Sequence, residues 1–220
     1  MIDQVERIHT PIHSEGQIRE FVLKKYGWVA DNAGRMAEPE RTEVACDLCQ
    51  IHEKMFALGW VKSEKNPFRP SHSARQVSSV ELQAWKKGSW DGKVIRAGVV
   101  KAGAGFYLDQ FTRQKDLARD PYFTDNLESL LKHVETRREK CQTTFDPLMD
   151  NKNSWLERLN ICLLFIRAAR CKEDPRFLNA ALKMSDWYFS YFQSHATPLE
   201  LSRFLLVLVE QEATFQELYP

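Results

Sequence analysis

The sequence lacks an excess of charge of either sign. Its 220 residues include 31 basic and 30 acidic side chains, which gives a net charge of +1. Proteins that bind duplex nucleic acid usually carry a basic stripe, and an acidic tail or polybasic anchor would also unbalance the charge. A nucleic-acid-associated subunit is therefore the last of our three hypotheses, because it requires distant Lys and Arg residues to form a basic stripe in the folded chain.

Long apolar runs and secretion signals are missing as well. No apolar run is longer than that of residues 161–166, which is far shorter than the ~20 residues of a transmembrane helix. The polar N-terminal stretch does not resemble a signal peptide. Five cysteines, an odd number, are spread over a chain that is long enough to bury a core without disulfides. We therefore expect a soluble, cytoplasmic protein with reduced thiols.

Helix signals are abundant. Ser14 and Gln17 have the spacing of a capping box, in which each side chain satisfies the other's free amide. Apolar residues then recur at intervals of three and four, which is typical of an amphipathic helix. We predict that this first helix ends at Gly27 and that the second ends at Gly59. Similar start signals precede three C-terminal helices, at Ser154, Asp174 and Thr197.

One segment has the composition of a β-strand. Residues 93–101, KVIRAGVVK, are rich in β-branched side chains, and residues 106–111 follow a glycine-containing turn. We therefore predict a mainly α fold with two regions. The N-terminal region, residues 1–115, is helical with a small β-hairpin, and residues 116–220 form an antiparallel helical bundle.

Cys46, Cys49 and His52 are the side chains best suited to bind a metal, because thiolates and imidazole are the ligands that zinc prefers. They lie within a strongly periodic helix, however, where positions three and six residues apart turn away from a common face. No second ligand pair is evident in the sequence. We therefore predict that they pack beside the apolar stripe of Leu48 and Ile51, and we predict no metal site and no cofactor in this chain.

Catalytic motifs are weak. The sequence contains no Gly-x-Ser-x-Gly elbow, and Gly103 and Gly105 lack the rest of a phosphate-binding loop. We therefore predict no catalytic residue, and we favour an accessory subunit over an enzyme that acts by itself. The alternative hypothesis is a helical enzyme with a pocket between helices, in which His133 or His52 acts as an acid or base.

The predicted strand offers a second kind of function. The edge of a small sheet has free amides and carbonyls that can pair with an extended peptide. Its basic side chains would favour an acidic peptide, although a hairpin that only packs on the helices is an equally simple interpretation. The predicted peptide-binding residues are Lys93, Val94, Ile95, Arg96, Val99, Val100 and Lys101.

Aromatic residues are concentrated near the C-terminus. Trp187, Tyr188 and Tyr191 belong to a run that has more aromatic side chains than one buried face requires. Aromatic anchors are common at protein interfaces. We predict that these three residues contact a partner protein, while core packing remains the alternative.

The stretch DPRFLNAALKMSDWYFSYF, from Asp174 to Phe192, resembles a helix of the small accessory subunit of the methanobactin biosynthesis complex. In that family a helical, non-catalytic subunit partners a larger iron-dependent barrel enzyme, and the pair converts cysteines of a precursor peptide to oxazolone and thioamide groups. The resemblance implies that iron belongs to the partner enzyme. We therefore expect a binding or scaffold subunit that helps to bind a precursor (leader) peptide.

Overall fold

The chain is described by a computed structural model, which covers residues 13–37, 40–68, 127, 128, 131, 132, 155–194 and 196–219. Helix accounts for 82% of these residues, and no strand occurs among them. The prediction of a mainly α protein is therefore confirmed for this part of the chain. The predicted β-hairpin and the predicted boundary between residues 115 and 116 lie outside the described residues and stay predictions. None of the described helices is long and apolar enough to cross a membrane.

The described residues contain five long helices. They are α1 (Glu15–Ala33), α2 (Glu40–Ala57), α3 (Trp155–Lys172), α4 (Pro175–Ser194) and α5 (Pro198–Leu218). Short connections join α3 to α4 and α4 to α5.

The predicted caps of α1 and α5 are present. The Ser14 hydroxyl accepts from the Gln17 amide, and the Gln17 side chain accepts from the Ser14 amide at 2.9 Å. Thr197 and Glu200 form the same reciprocal pair at the start of α5. These contacts satisfy amides that have no partner within the helix, so they fix where each helix begins.

The end of α1 was predicted wrongly. The helix passes through Gly27 and ends at Ala33. Glycine within a helix costs about 1 kcal/mol relative to alanine. Val29 is completely buried and Ala33 is 9% exposed, so apolar burial beyond Gly27 outweighs that cost.

The end of α2 is close to its predicted position. Gly59 has a positive φ of 69°, and the Trp60 amide donates to the Met55 carbonyl at 2.8 Å. This left-handed glycine turn is a common helix terminator. Leu58, at the end of the apolar stripe of α2, is only half-buried.

The described residues fall into two compact units. One contains the described residues between 127 and 184, and the other contains residues 13–68 and 185–219 apart from the gaps given above, so α4 contributes to both. In the first unit residues 161–169 of α3 are all buried, and Phe165 contacts Phe177 at 5.8 Å between ring centroids.

In the second unit α5 is the central helix. It packs against both α1 and α2, and α1 also contacts α2. Phe204 of α5 contacts Phe21 of α1 and Phe189 and Phe192 of α4, with centroid distances of 6.2, 6.1 and 4.4 Å. The core of this unit therefore combines helices from both ends of the sequence. The bundle was predicted within residues 116–220, but α5 packs on helices of the predicted N-terminal region.

Candidate functional site

The second unit brings several polar groups together where α1, α2 and the segment after α2 meet. Helix α2 contributes Cys49 and His52, one turn apart, and α1 contributes Tyr26. The turn at Gly59 returns the chain along α2, so that Ser63 and Asn66 reach the same place. We call Tyr26, Cys49, His52, Ser63 and Asn66 the His52 cluster.

Both ring nitrogens of His52 have partners. Its Nε2 lies 3.0 Å from the carbonyl oxygen of Ser63, and its Nδ1 lies 3.2 Å from the hydroxyl of Tyr26. A carbonyl oxygen can only accept, so Nε2 carries the proton and Nδ1 accepts from Tyr26 in the neutral ring. His52 thus connects α1, α2 and the segment after α2.

Tyr26 is suited to the donor role. Burial, with a contribution from Cys49, raises the pKa of the Tyr26 hydroxyl to about 12. The hydroxyl therefore keeps its proton at neutral pH and can donate a hydrogen bond to Nδ1. Phe68 packs edge-on against the Tyr26 ring at 5.8 Å between centroids, which holds the ring in this position.

Cys49 is held as a thiol. The Asn66 side-chain amide donates to the Cys49 carbonyl at 2.8 Å and to Sγ at 3.2 Å, and Sγ lies 3.7 Å from a carboxylate oxygen of Glu53. Burial first, and Glu53 second, raise the pKa of the Cys49 thiol above its usual value. A cysteine nucleophile needs the opposite shift, so this environment does not activate Cys49.

The arrangement therefore suits packing and hydrogen bonding better than acid–base or nucleophilic chemistry. His52 would have to break its hydrogen bond with Tyr26 before Nδ1 could accept a proton from a substrate, or its hydrogen bond with Ser63 before Nε2 could donate one. Cys46, Cys49 and His52 are all buried in α2, at 7%, 8% and 8% exposure. Within the described ranges, His, Cys, Asp and Glu side chains form no group of three or more that could hold a metal ion.

The predicted partner-binding residues have different environments. Tyr188 is completely buried, so it offers no exposed surface to a partner in this structure. Trp187 and Tyr191 lie one turn apart on α4 and are half-buried, and their role stays a prediction. The predicted peptide-binding residues 93–101 and His133 lie outside the described residues.

A charged network in the core of this unit was not predicted. Asp47 of α2 accepts from the Ser202 hydroxyl at 2.9 Å and from Arg203 Nε at 3.0 Å, both on α5. Lys54 and Glu210 form a second ion pair between these helices at 3.3 Å. The sequence signal for this network was the carboxylate of Asp47, which lies on the apolar side of a periodic helix.

Comparison with protein-family models, with curated proteins and with solved structures gave no match for this chain.

Proposed function

We propose that this chain is a non-catalytic binding subunit. It would partner a larger iron-dependent enzyme and help to bind a precursor peptide whose cysteines become oxazolone and thioamide groups. The observation that carries the non-catalytic part is the saturation of His52, since hydrogen bonds to Tyr26 and Ser63 occupy both of its ring nitrogens. The peptide chemistry rests on the resemblance of residues 174–192.

The surface of α4 supports a role in binding. Trp187 and Tyr191 share one face of this helix and keep part of their side chains exposed. Large, stiff aromatic side chains lose little conformational entropy on binding, so they often act as anchors. The stretch with the family resemblance covers most of α4, so the proposed partner surface and the resemblance involve the same helix.

Binding of an iron-dependent enzyme encoded beside this chain tests the proposal. We expect the full chain to bind that enzyme in isothermal titration calorimetry. The variant Trp187→Ala/Tyr191→Ala should weaken binding by about thirtyfold, the effect of a hot spot worth ~2 kcal/mol. Phe56→Ala is a matched control because it removes a ring that is 40% exposed on a different helix. Equal binding by all three proteins would contradict the assignment of this surface.

The peptide part needs its own measurement. A cysteine-containing precursor peptide should shift the amide resonances of residues 93–101 in the labelled chain, because β-augmentation pairs backbone groups directly. Unchanged resonances at saturating peptide would exclude this segment as the binding edge.

The alternative is a helical enzyme that uses His52 as an acid or base, for which its hydrogen bonds to Tyr26 and Ser63 would have to break. If His52 were an acid or base, His52→Gln would abolish turnover of a substrate by the isolated chain and leave its fold intact. If the cluster is structural, the same change lowers stability, and the isolated chain shows no turnover to lose.

A further inference from the structure

The outer face of α1 has a sequence of charges that is complementary to itself. Glu20, Lys24 and Asp31 of α1 and Arg35, two residues beyond its end, are all exposed, and their charges alternate in sign along the chain. Among the described residues none of these four side chains takes part in an ion pair. Spacings of four, seven and four residues keep them close to one face of the helix.

The centre of this face is open. Gly27 lies between Lys24 and Asp31, and a Cβ atom placed on it would meet no atom within 4 Å. The neighbouring Trp28 has 44% of its surface exposed, the largest exposure among the large apolar side chains that the structure describes. An exposed indole beside an uncovered glycine provides both a protruding group and a space for one.

We infer that the outer face of α1 is the interface of a homodimer in which two copies of α1 pack antiparallel. With a two-fold axis between positions 27 and 28, Lys24 of each copy faces Asp31 of the other. The same symmetry places Glu20 opposite Arg35 and the indole of Trp28 over Gly27. Isologous contacts of this type require a patch that complements itself, and the order of charges on α1 meets that requirement.

Local geometry supports the outermost pair. Gly34, which follows the helix, has φ −63° and ψ −16°, so Arg35 continues nearly in helical register. A helix of 19 residues is about 28 Å long. One helix pair alone buries less than the roughly 1,200 Å² of a standard interface. We therefore expect a weak dimer that dissociates at low protein concentration.

Charge reversal distinguishes contact between two copies of α1 from an effect within one chain. Lys24→Asp and Asp31→Lys each place like charges opposite one another twice in the dimer. Each should weaken dimerisation by about tenfold at low salt. The double variant restores both pairs with opposite polarity and should recover the original affinity. Positions 24 and 31 are about 10.5 Å apart along one helix, too far to pair within a chain, so recovery requires contact between copies.

Sedimentation velocity of the full chain measures dimerisation. We expect a micromolar dissociation constant, so the protein concentration should run from about 1 to about 200 µM. Lys62→Asp is the control, an exposed charge outside α1, and circular dichroism verifies that each variant is folded. A concentration-dependent dimer with loss in both single variants and recovery in the double variant supports the inference. A monomer at every concentration, a dimer insensitive to these changes, or a monomer that binds another protein through Trp28 overturns it.

Discussion

Asp47 is a carboxylate with 1% exposure in a helical core, and its charge is balanced by Arg203. Burial opposes the charge of Arg203, but the attraction and hydrogen bond of Asp47 outweigh it, so the pKa of Arg203 lies above its usual value. We expect Asp47→Asn to reduce the free energy of unfolding by about 3–5 kcal/mol, because it leaves a buried cation without its main partner. Urea denaturation measures the loss.

Glu43 provides the matched control, since it belongs to the same network. Its carboxylate lies 3.7 Å from Arg203, but its side chain is 52% exposed. Exposed ion pairs contribute at most about 1 kcal/mol, so Glu43→Gln should have a small effect. Similar losses in both variants would show that burial of Asp47 is not the cause.

His52 is expected to stabilise the contact between α1, α2 and the segment after α2. Replacing it by alanine leaves the Tyr26 hydroxyl and the Ser63 carbonyl without their partner and creates a cavity. We expect a loss of about 2–4 kcal/mol in the free energy of unfolding, measured by urea denaturation. His52→Gln keeps a donor that can point toward Ser63, so it should recover part of the loss. A glutamine variant no more stable than the alanine variant would argue against the Ser63 contact.

The sequence predicted the residues of this cluster only in part. The structure places Cys46 and Cys49 in the core, as their positions beside Leu48 and Ile51 indicated. The partners of His52 could not be predicted, because Ser63 reaches it only through the turn at Gly59 and Tyr26 belongs to another helix. Contacts of this kind depend on packing that no local pattern encodes.

At the scale of elements, two glycines should respond in opposite ways to the same substitution. Gly27 lies within α1 with open space around it, so Gly27→Ala should stabilise the monomer by about 0.5–1 kcal/mol through helix propensity. Gly59 has φ 69°, where alanine is strained, so Gly59→Ala should cost about 1 kcal/mol. Thermal unfolding of both variants at low protein concentration measures the two changes in stability. If Gly27→Ala were also destabilising, the space around Gly27 in α1 would not be open.

The ends of the helices show which signals are local. Capping boxes predicted the starts of α1 and α5 because all of their contacts lie within three residues. The predicted helix end at Gly27 was wrong because burial of Val29 outweighs the low helix propensity of glycine, which amounts to about 1 kcal/mol. That burial depends on other helices, so no local signal shows it. Gly59 did end α2, because there the glycine adopts a conformation that other residues disfavour.

The start of α4 should be sensitive to pH through Asp174. Its carboxylate accepts from the Arg176 amide at 3.0 Å and from the Arg176 guanidinium at 2.6 Å. Partial burial acts to raise the pKa of Asp174, but the hydrogen bonds and charge of Arg176 outweigh it and lower this pKa below its usual value. The stabilisation is therefore present above the unfolded pKa of about 3.9 and is lost as pH falls through the lower folded pKa.

Asp174→Asn isolates the charge, because asparagine can still accept from the Arg176 amide. We expect the variant to be less stable than the original chain by about 0.5–1 kcal/mol at neutral pH, and equally stable once the pH lies below the folded pKa of Asp174. Urea denaturation at both pH values gives the comparison. A difference that persists at low pH would mean that the charge of Asp174 is not responsible.

At the scale of the whole molecule, the second unit joins distant parts of the sequence through Phe204. This ring belongs to α5, is completely buried, and contacts both α1 and α4. The sequence could not indicate that the neighbours of α5 include helices more than a hundred residues earlier. For the described residues, the sequence was thus sufficient for the mainly helical class and for the existence of individual helices, and insufficient for which helices pack together.

Phe204→Ala tests whether these segments form one cooperative unit. Removing a buried phenylalanine typically costs about 3–5 kcal/mol. Because the ring packs on α1, amide hydrogen exchange in residues 15–33 should accelerate along with exchange in α5. Phe56→Ala, which removes a 40% exposed ring from α2, should leave exchange in α1 nearly unchanged. Faster exchange confined to α5 would show that α1 is stabilised independently, and the packing of α1 on α5 would then contribute little to the stability of this unit.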